Sequence, residues 1–123
     1  MAYQRADGMK NNRAYDDGYL RVEHDNYYVT CGGARVALAR KEFLLLSRLA
    51  RDVERTILSE DLWRAAWGKG EPFNSSSLRV HICHLRNKLA PYGLRIESMV
   101  NVGYRLLVRA PENTSFEQDS LPA

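Results

Sequence analysis

The stretch Ser75-Ser76-Ser77-Leu78-Arg79-Val80-His81-Ile82-Cys83-His84-Leu85-Arg86-Asn87-Lys88-Leu89 decides how this chain is read. At about 100° per residue, Leu78, Ile82, Leu85 and Leu89 fall within about 60° of one another, the apolar stripe of an amphipathic helix. Asn74 or one of the three serines can cap its start, and Pro91 and Gly93 end it. Opposite the stripe lie Ser76, Val80, Cys83, His84 and Asn87, with Arg79 and Arg86 on one flank and His81 and Lys88 on the other. From Pro72 to Ile96 there is no Asp or Glu, although the whole chain holds 15. The net charge is only +3, so the distribution says more than the total. A basic, acid-free surface on an otherwise mixed domain is an electrostatic footprint for phosphate. The plainer reading is a solvated helix face with chance segregation of charge.

Such a face can enter a major groove about 12 Å wide without steric or charge conflict. Asn87 suits adenine edges, His84 can donate to guanine, and Val80 can meet a thymine methyl; the flanking cations would sit near phosphates, where they position rather than specify. Val80 and Cys83 equally suit contact with another protein. His81 and His84, three apart, could share a metal, but no third ligand is suitably placed, so no metal is expected. Cys83 and His84 are adjacent, and adjacent helix positions do not face each other, which argues against a nucleophile pair. No glycine-rich phosphate loop, nucleophile elbow or convincing carboxylate pair occurs. The expectation is a protein that is not an enzyme and needs no cofactor.

Working upstream, a helix is expected over Ser59–Trp67, with Ser59 as its cap, Glu60 and Asp61 at the positive end of its dipole, and Gly68, Gly70 and Pro72 stopping it. Trp63 and Trp67 are four apart and share a face of it. Core packing is the default for at least one, and Trp67 is placed to shape the loop that follows. Residues 56–58 read as a short β piece. Phe43, Leu46, Leu49 and Val53, widened by Leu45 and Ala50, mark a helix over about 40–51 that forms the centre of the core. Before it the period changes to two: residues 19–22, 27–31 and 35–38 read as strands, with a turn at 24–26 and a Gly32-Gly33 hairpin. Downstream, Leu94–Met99 and Gly103–Val108 alternate as a hairpin. Asn101 at its tip tolerates the left-handed conformation that a tight turn requires.

A chain of 123 residues makes one domain with one real core, and 45% hydrophobic with 27% charged residues is a globular composition. No run approaches the roughly 18 apolar residues needed to span a bilayer, and the start Met1-Ala2-Tyr3-Gln4-Arg5 is no signal peptide, so the expected location is cytoplasmic. Cys31 and Cys83 lie far apart in no metal-like spacing and are expected to be reduced thiols. Residues 1–17 are polar and aperiodic and read as a linker or flexible N-terminus; 110–123 read as a flexible tail. The folded domain is therefore expected over 18–109. The element order, sheet then three helices then hairpin, gives an α+β class of the winged helix-turn-helix kind.

The string Leu78 to Leu89, with Ala65-Ala66-Trp67-Gly68, Val102-Gly103-Tyr104-Arg105 and Lys41-Glu42-Phe43, resembles the effector domain of the OmpR/PhoB family of bacterial response regulators. The resemblance runs from about Tyr19 to Val108. It implies an N-terminal four-stranded antiparallel sheet, a three-helix core and a C-terminal hairpin wing. It further implies that the third helix reads the major groove of double-stranded DNA, and that the wing touches the neighbouring minor groove. The candidate DNA-contacting set is then Ser76, Arg79, Val80, His81, Cys83, His84, Arg86, Asn87, Lys88, Asn101 and Arg105. The loop over 68–74, with Lys69, Glu71 and Phe73, would face RNA polymerase. Binding as a head-to-tail homodimer on tandem sites would be the family habit. An N-terminal receiver domain, usual in the family, is missing here; the chain reads as a fragment or as a regulator that works alone.

This sequence departs from the family pattern at places that matter. Arg79 stands where Asp is frequent, and Cys83, His84 and Asn87 replace basic residues. Val100-Asn101 replaces the Arg-Gly of the wing tip. Ala39 and Leu58 occupy helix starts that usually hold Thr and Ser, so both capping boxes are expected to be lost or shifted, at about 1 kcal/mol each. Each lost phosphate contact lowers affinity and its salt dependence. The competing function is a winged-helix module turned to protein interaction, favoured by Val80, Cys83 and Val100 on exposed surface.

Overall fold

The computed structural model describes residues 13–108. Two antiparallel sheets enclose three helices. The first sheet runs β1 (Ala14–Asp16), β2 (Leu20–Glu23), β3 (Tyr28–Cys31) and β4 (Ala34–Arg35), each beside its sequence neighbour. Strand alternation sends Leu20 and Val22 of β2, and Val29 and Cys31 of β3, into the core as facing pairs. Gly32 and Gly33 carry φ of 57° and 88°, the doubly positive turn that fits the twist of a hairpin. The strand expected over 35–38 is shorter than its pattern, since pairing stops at Arg35 apart from one bond from Val36 N–H to Val29 C=O (3.0 Å).

Part of the N-terminal stretch read as linker is a strand. β1 pairs with β2 in the register Ala14↔Glu23 to Asp16↔Arg21. Its side chains give no hydrophobic alternation, because only Ala14 is buried. Backbone pairing holds it, together with Arg21, which bridges Asp16 (2.6 Å) and Glu23. The first sheet thus has the four strands that the resemblance implied. The N-terminal stretch up to residue 12 and the tail read over 110–123 lie outside the described residues.

α1 (Arg40–Ala50), α2 (Ser59–Trp67) and α3 (Ser75–Leu89) form the middle layer. Leu45, Leu46 and Leu49 of α1, Leu62 of α2, and Leu78, Ile82, Leu85 and Leu89 of α3 are all fully buried. Each contributes roughly 1.5–3 kcal/mol by leaving water, which fixes the pose of α3 from beneath. A 3₁₀ turn at Ala90–Tyr92 and left-handed Gly93 (φ 83°) then reverse the chain. Tyr19 Oη donates to the Tyr92 carbonyl (2.6 Å), tying the first sheet to that turn.

The helix starts differ from expectation. α1 keeps half of its capping box: Ala39 offers no side-chain oxygen, but its N–H donates to Glu42 Oε1 (2.8 Å). Ser59 is the first helical residue of α2 and not its cap; Leu58 holds that place without a side-chain bond. The Ser59 N–H donates instead to Val102 C=O (3.1 Å), so the hairpin satisfies it. α3 is capped by Asn74, whose side-chain oxygen accepts from Ser77 N–H (3.0 Å).

The second sheet has the order β5 (Ile57–Leu58), β7 (Gly103–Val108), β6 (Leu94–Met99), leaving β6 as an edge strand. A Cβ at Gly103 would lie 1.9 Å from the Ile57 carbonyl oxygen, so the pairing of β7 with β5 requires glycine there. The tip closes through Val102 N–H to Met99 C=O (2.9 Å), with Asn101 at φ 62° as the third position of such a turn demands.

Candidate nucleic-acid interface

The core stripe of α3 fixes which way the rest of the helix faces. Ser76, Arg79, Val80, Cys83, His84 and Asn87 are exposed, with Val80 51% accessible. Along the Arg79–Arg86 flank of this face the hairpin β6–β7 projects, Val100 at its tip 82% accessible beside exposed Asn101. Between them runs a cleft of about 500 Å³, bordered by Phe73, Arg79, Arg86, Ser98 and Tyr104 among others. The surface offers short polar groups, two small apolar ones and a cation to whatever lies across it. Among the described residues Arg79 has no acidic partner.

The other cations placed on the flanks by helical geometry are engaged within the protein. Arg86 Nε donates to the Ile96 carbonyl (2.9 Å) and its Nη2 to Ser98 Oγ (2.6 Å), while its guanidinium lies 5.9 Å from the centre of the Tyr104 ring. Lys88 Nζ is 2.8 Å from Glu42 Oε1, a buried carboxylate at the start of α1. Arg105 Nε donates to Glu97 Oε1 across the hairpin (2.8 Å). His81 is turned edge-on against Trp67, ring centres 4.9 Å apart, with Nδ1 2.8 Å from the Ser77 carbonyl. The cationic surface available to an outside partner is smaller than the sequence count implied.

The loop over 68–74 is organised by tryptophan. Trp63 is buried, stacks flat on Trp67 (3.9 Å between ring centres), and donates from Nε1 to the Glu71 carbonyl (2.9 Å). Phe73 meets the Trp63 ring edge-on and is still 42% accessible. Lys41 Nζ lies 5.3 Å over Trp67. The loop backbone is therefore anchored while Lys69, Glu71 and Phe73 face outward. This role of Trp63 was not assigned from sequence, where its spacing from Trp67 marked only a shared face.

Burial penalises a charge at Glu42, but the hydrogen bonds from Lys88 and from Ala39 N–H outweigh it and hold the carboxyl below its ordinary range. His24 is buried with Nδ1 2.5 Å from Ser47 Oγ; desolvation, helped by Arg51, lowers its pKa. Burial pushes the Cys31 thiol up to about 11, whereas Cys83 is exposed. Among the described residues no three metal-binding side chains stand together, and no helix is long and apolar enough to cross a membrane.

The sequence profile described as "Transcriptional regulatory protein, C terminal" matches residues 33–106. The response regulator ArlR of Staphylococcus haemolyticus is 32% identical over 87 residues, 69% of this chain and 40% of ArlR, and ArlR of Staphylococcus aureus is 31% identical over the same length. The chain thus spans about two-fifths of the length of these relatives. Among solved structures, the DNA-binding domain of Klebsiella pneumoniae RstA in complex with the RstA box is 29% identical, with a TM-score of 0.63 over 76% of this chain and 96% of that one. The DNA-binding domain of Bacillus subtilis CssR is 26% identical, with a TM-score of 0.61 over 72% and 99%. The four-stranded sheet, the three helices and the hairpin beside α3 have a common explanation: the chain belongs to the transcriptional-regulator C-terminal family, the OmpR/PhoB-type winged-helix effector domains of response regulators.

Proposed function

We propose that this domain binds double-stranded DNA sequence-specifically, as the effector module of a two-component-type transcriptional regulator. The observation that carries the reading is the outward face of α3, where Ser76, Val80, Cys83, His84 and Asn87 stand exposed beside unpaired Arg79 with no carboxylate among them. α3 occupies the major groove, with His84 and Asn87 at base edges and Val80 against a thymine methyl. The tip at Val100-Asn101 meets the adjacent minor groove. Arg79 supplies the phosphate contact, and the neutral wing tip gives a shallow dependence on salt. The likeness to RstA, a domain solved with its DNA box, supports this assignment.

The remaining partners follow the family habit. Two copies bind head to tail on tandem sites, the loop bearing Lys69, Glu71 and Phe73 faces RNA polymerase, and a receiver domain is a further partner if the chain is a fragment of a longer regulator. A monomer with so few free cations binds modestly, so pairing on DNA contributes much of the affinity.

The test is a titration against sheared genomic DNA, starting at low salt, followed by selection from a random duplex pool. Binding with an affinity that falls as salt rises is expected. The absence of binding at low salt removes the reading and leaves the protein-interaction module, for which exposed Val80 and Val100 speak. His84→Ala should change the selected sequence, and an unchanged sequence takes His84 out of the reading set.

A further inference from the structure

Arg86 was placed by sequence among the phosphate-contacting cations, yet its bonds run along the protein. β6 is the edge strand of its sheet, so the carbonyls on its outer side have no strand partner. Arg86 Nε takes one of them, that of Ile96, and Nη2 reaches Ser98 Oγ one step further toward the tip. The two bonds run from one planar guanidinium, a geometry that fixes orientation as well as distance. β7 is fastened on its own side by β5, through Ile57↔Tyr104 and Leu58↔Gly103, and by Ser59 N–H to Val102 C=O. Leu94 and Ile96 seat the base of β6 in the core. Beyond Ile96, from Ser98 to Val102, the outer half of the hairpin lies outside the core, and Arg86 is its brace from α3.

We propose that Arg86 is a positioning residue that sets the angle between the reading helix and the wing, and so the distance between the two grooves they address. This rests on the DNA reading above. β5 and Ser59 hold the tip from the β7 side, and the two Arg86 bonds set its height against α3 from the β6 side, so their loss shifts the tip by more than a hydrogen bond can tolerate. A phosphate contact and a brace differ in what they predict. The contact depends on charge alone, so lysine replaces it and its loss flattens the salt dependence by about one unit of log–log slope. The brace depends on the planar fork, which lysine lacks.

The experiment compares Arg86→Lys, Arg86→Met and Ser98→Ala with the wild type. The probe is a duplex selected by the wild-type protein from a random pool, read by affinity across salt and by hydroxyl-radical footprinting. Both Arg86 variants are expected to lose about tenfold in affinity, with the salt slope kept and protection lost on the wing side only. Ser98→Ala, which leaves α3 untouched, should lose a smaller factor with the same pattern. Hydrogen exchange of the amides over 98–102 is measured in parallel without DNA, and should speed up in all three variants while α3 amides keep their protection. Restored binding in Arg86→Lys, a reduced slope in Arg86→Met and unchanged exchange at the tip would assign Arg86 to phosphate and overturn the brace. Failure of the wild type to bind any duplex removes the DNA reading, while the exchange data still decide the brace.

Discussion

Arg79 and Arg86 stand seven residues apart, two turns of α3 on one flank, and border the same cleft, yet only Arg86 is bonded to the hairpin. The N-terminal half of the helix holds Arg79 in the open, with exposed Ser76 and Val80 beside it. In the C-terminal half, Arg86 is bonded to β6 and Lys88 to Glu42. One half leaves its cation open to solvent; the other uses its cations to fix the helix against α1 and the hairpin. Position on a helical wheel gives a direction, and the neighbouring element decides whether that direction is open. Open charge and internal rigidity are thus carried by different residues of the same type.

The largest break in this comparison comes from beneath both halves. Leu85→Ala leaves a cavity under the centre of α3 and should cost about 2–5 kcal/mol, read by urea denaturation, with DNA affinity falling in proportion to the folded fraction. Next in size is the C-terminal tether. Lys88→Met leaves the Glu42 carboxylate buried without its cation, worth about 1–2 kcal/mol once the half exposure of Lys88 is allowed for. Because the folded-state pKa of Glu42 lies below its ordinary value of 4.5, the stability it contributes is present above that pH and lost as acid protonates it. Acid titration of Lys88→Met should therefore show a weaker loss of stability below pH 4.5 than the wild type.

The N-terminal half sharpens the contrast with smaller effects. Asn74→Ala removes the cap on Ser77 N–H and should cost about 1 kcal/mol, with local exchange rising over the first turn of α3. Arg79→Ala should leave stability within about 0.5 kcal/mol of the wild type, while the log–log salt slope of DNA binding falls by about one. A stability change at Arg79 comparable to that at Lys88 would erase the distinction between the halves.

Much of this was legible in the sequence, for reasons that separate local from non-local information. The apolar stripes of α1 and α3, the Gly32-Gly33 hairpin and the left-handed tip at Asn101 follow from periodicity and from backbone freedom, both properties of neighbouring residues. β1 was missed because three residues with one buried alanine carry no alternation, and its pairing comes from β2. The N-cap of α2 was misplaced by one residue, since Ser59 resembles a cap until the hairpin is seen to take its N–H. The inward turn of His81 onto Trp67 and the ties of Arg86, Lys88 and Arg105 depend on residues 8 to 46 positions away, and no local pattern records them.

The two cysteines give the molecule an experimental handle of its own. Thiol reagents attack the thiolate, and Cys31 is both buried and held protonated by its surroundings, so alkylation selects Cys83. A maleimide dye or a spin label therefore lands on the exposed face of α3 in the unmodified protein, with no cysteine to remove and none to introduce. Its rate of attachment measures how well any bound partner covers that face. Once attached, a spin label there reports as a distance whether a second labelled copy approaches that face.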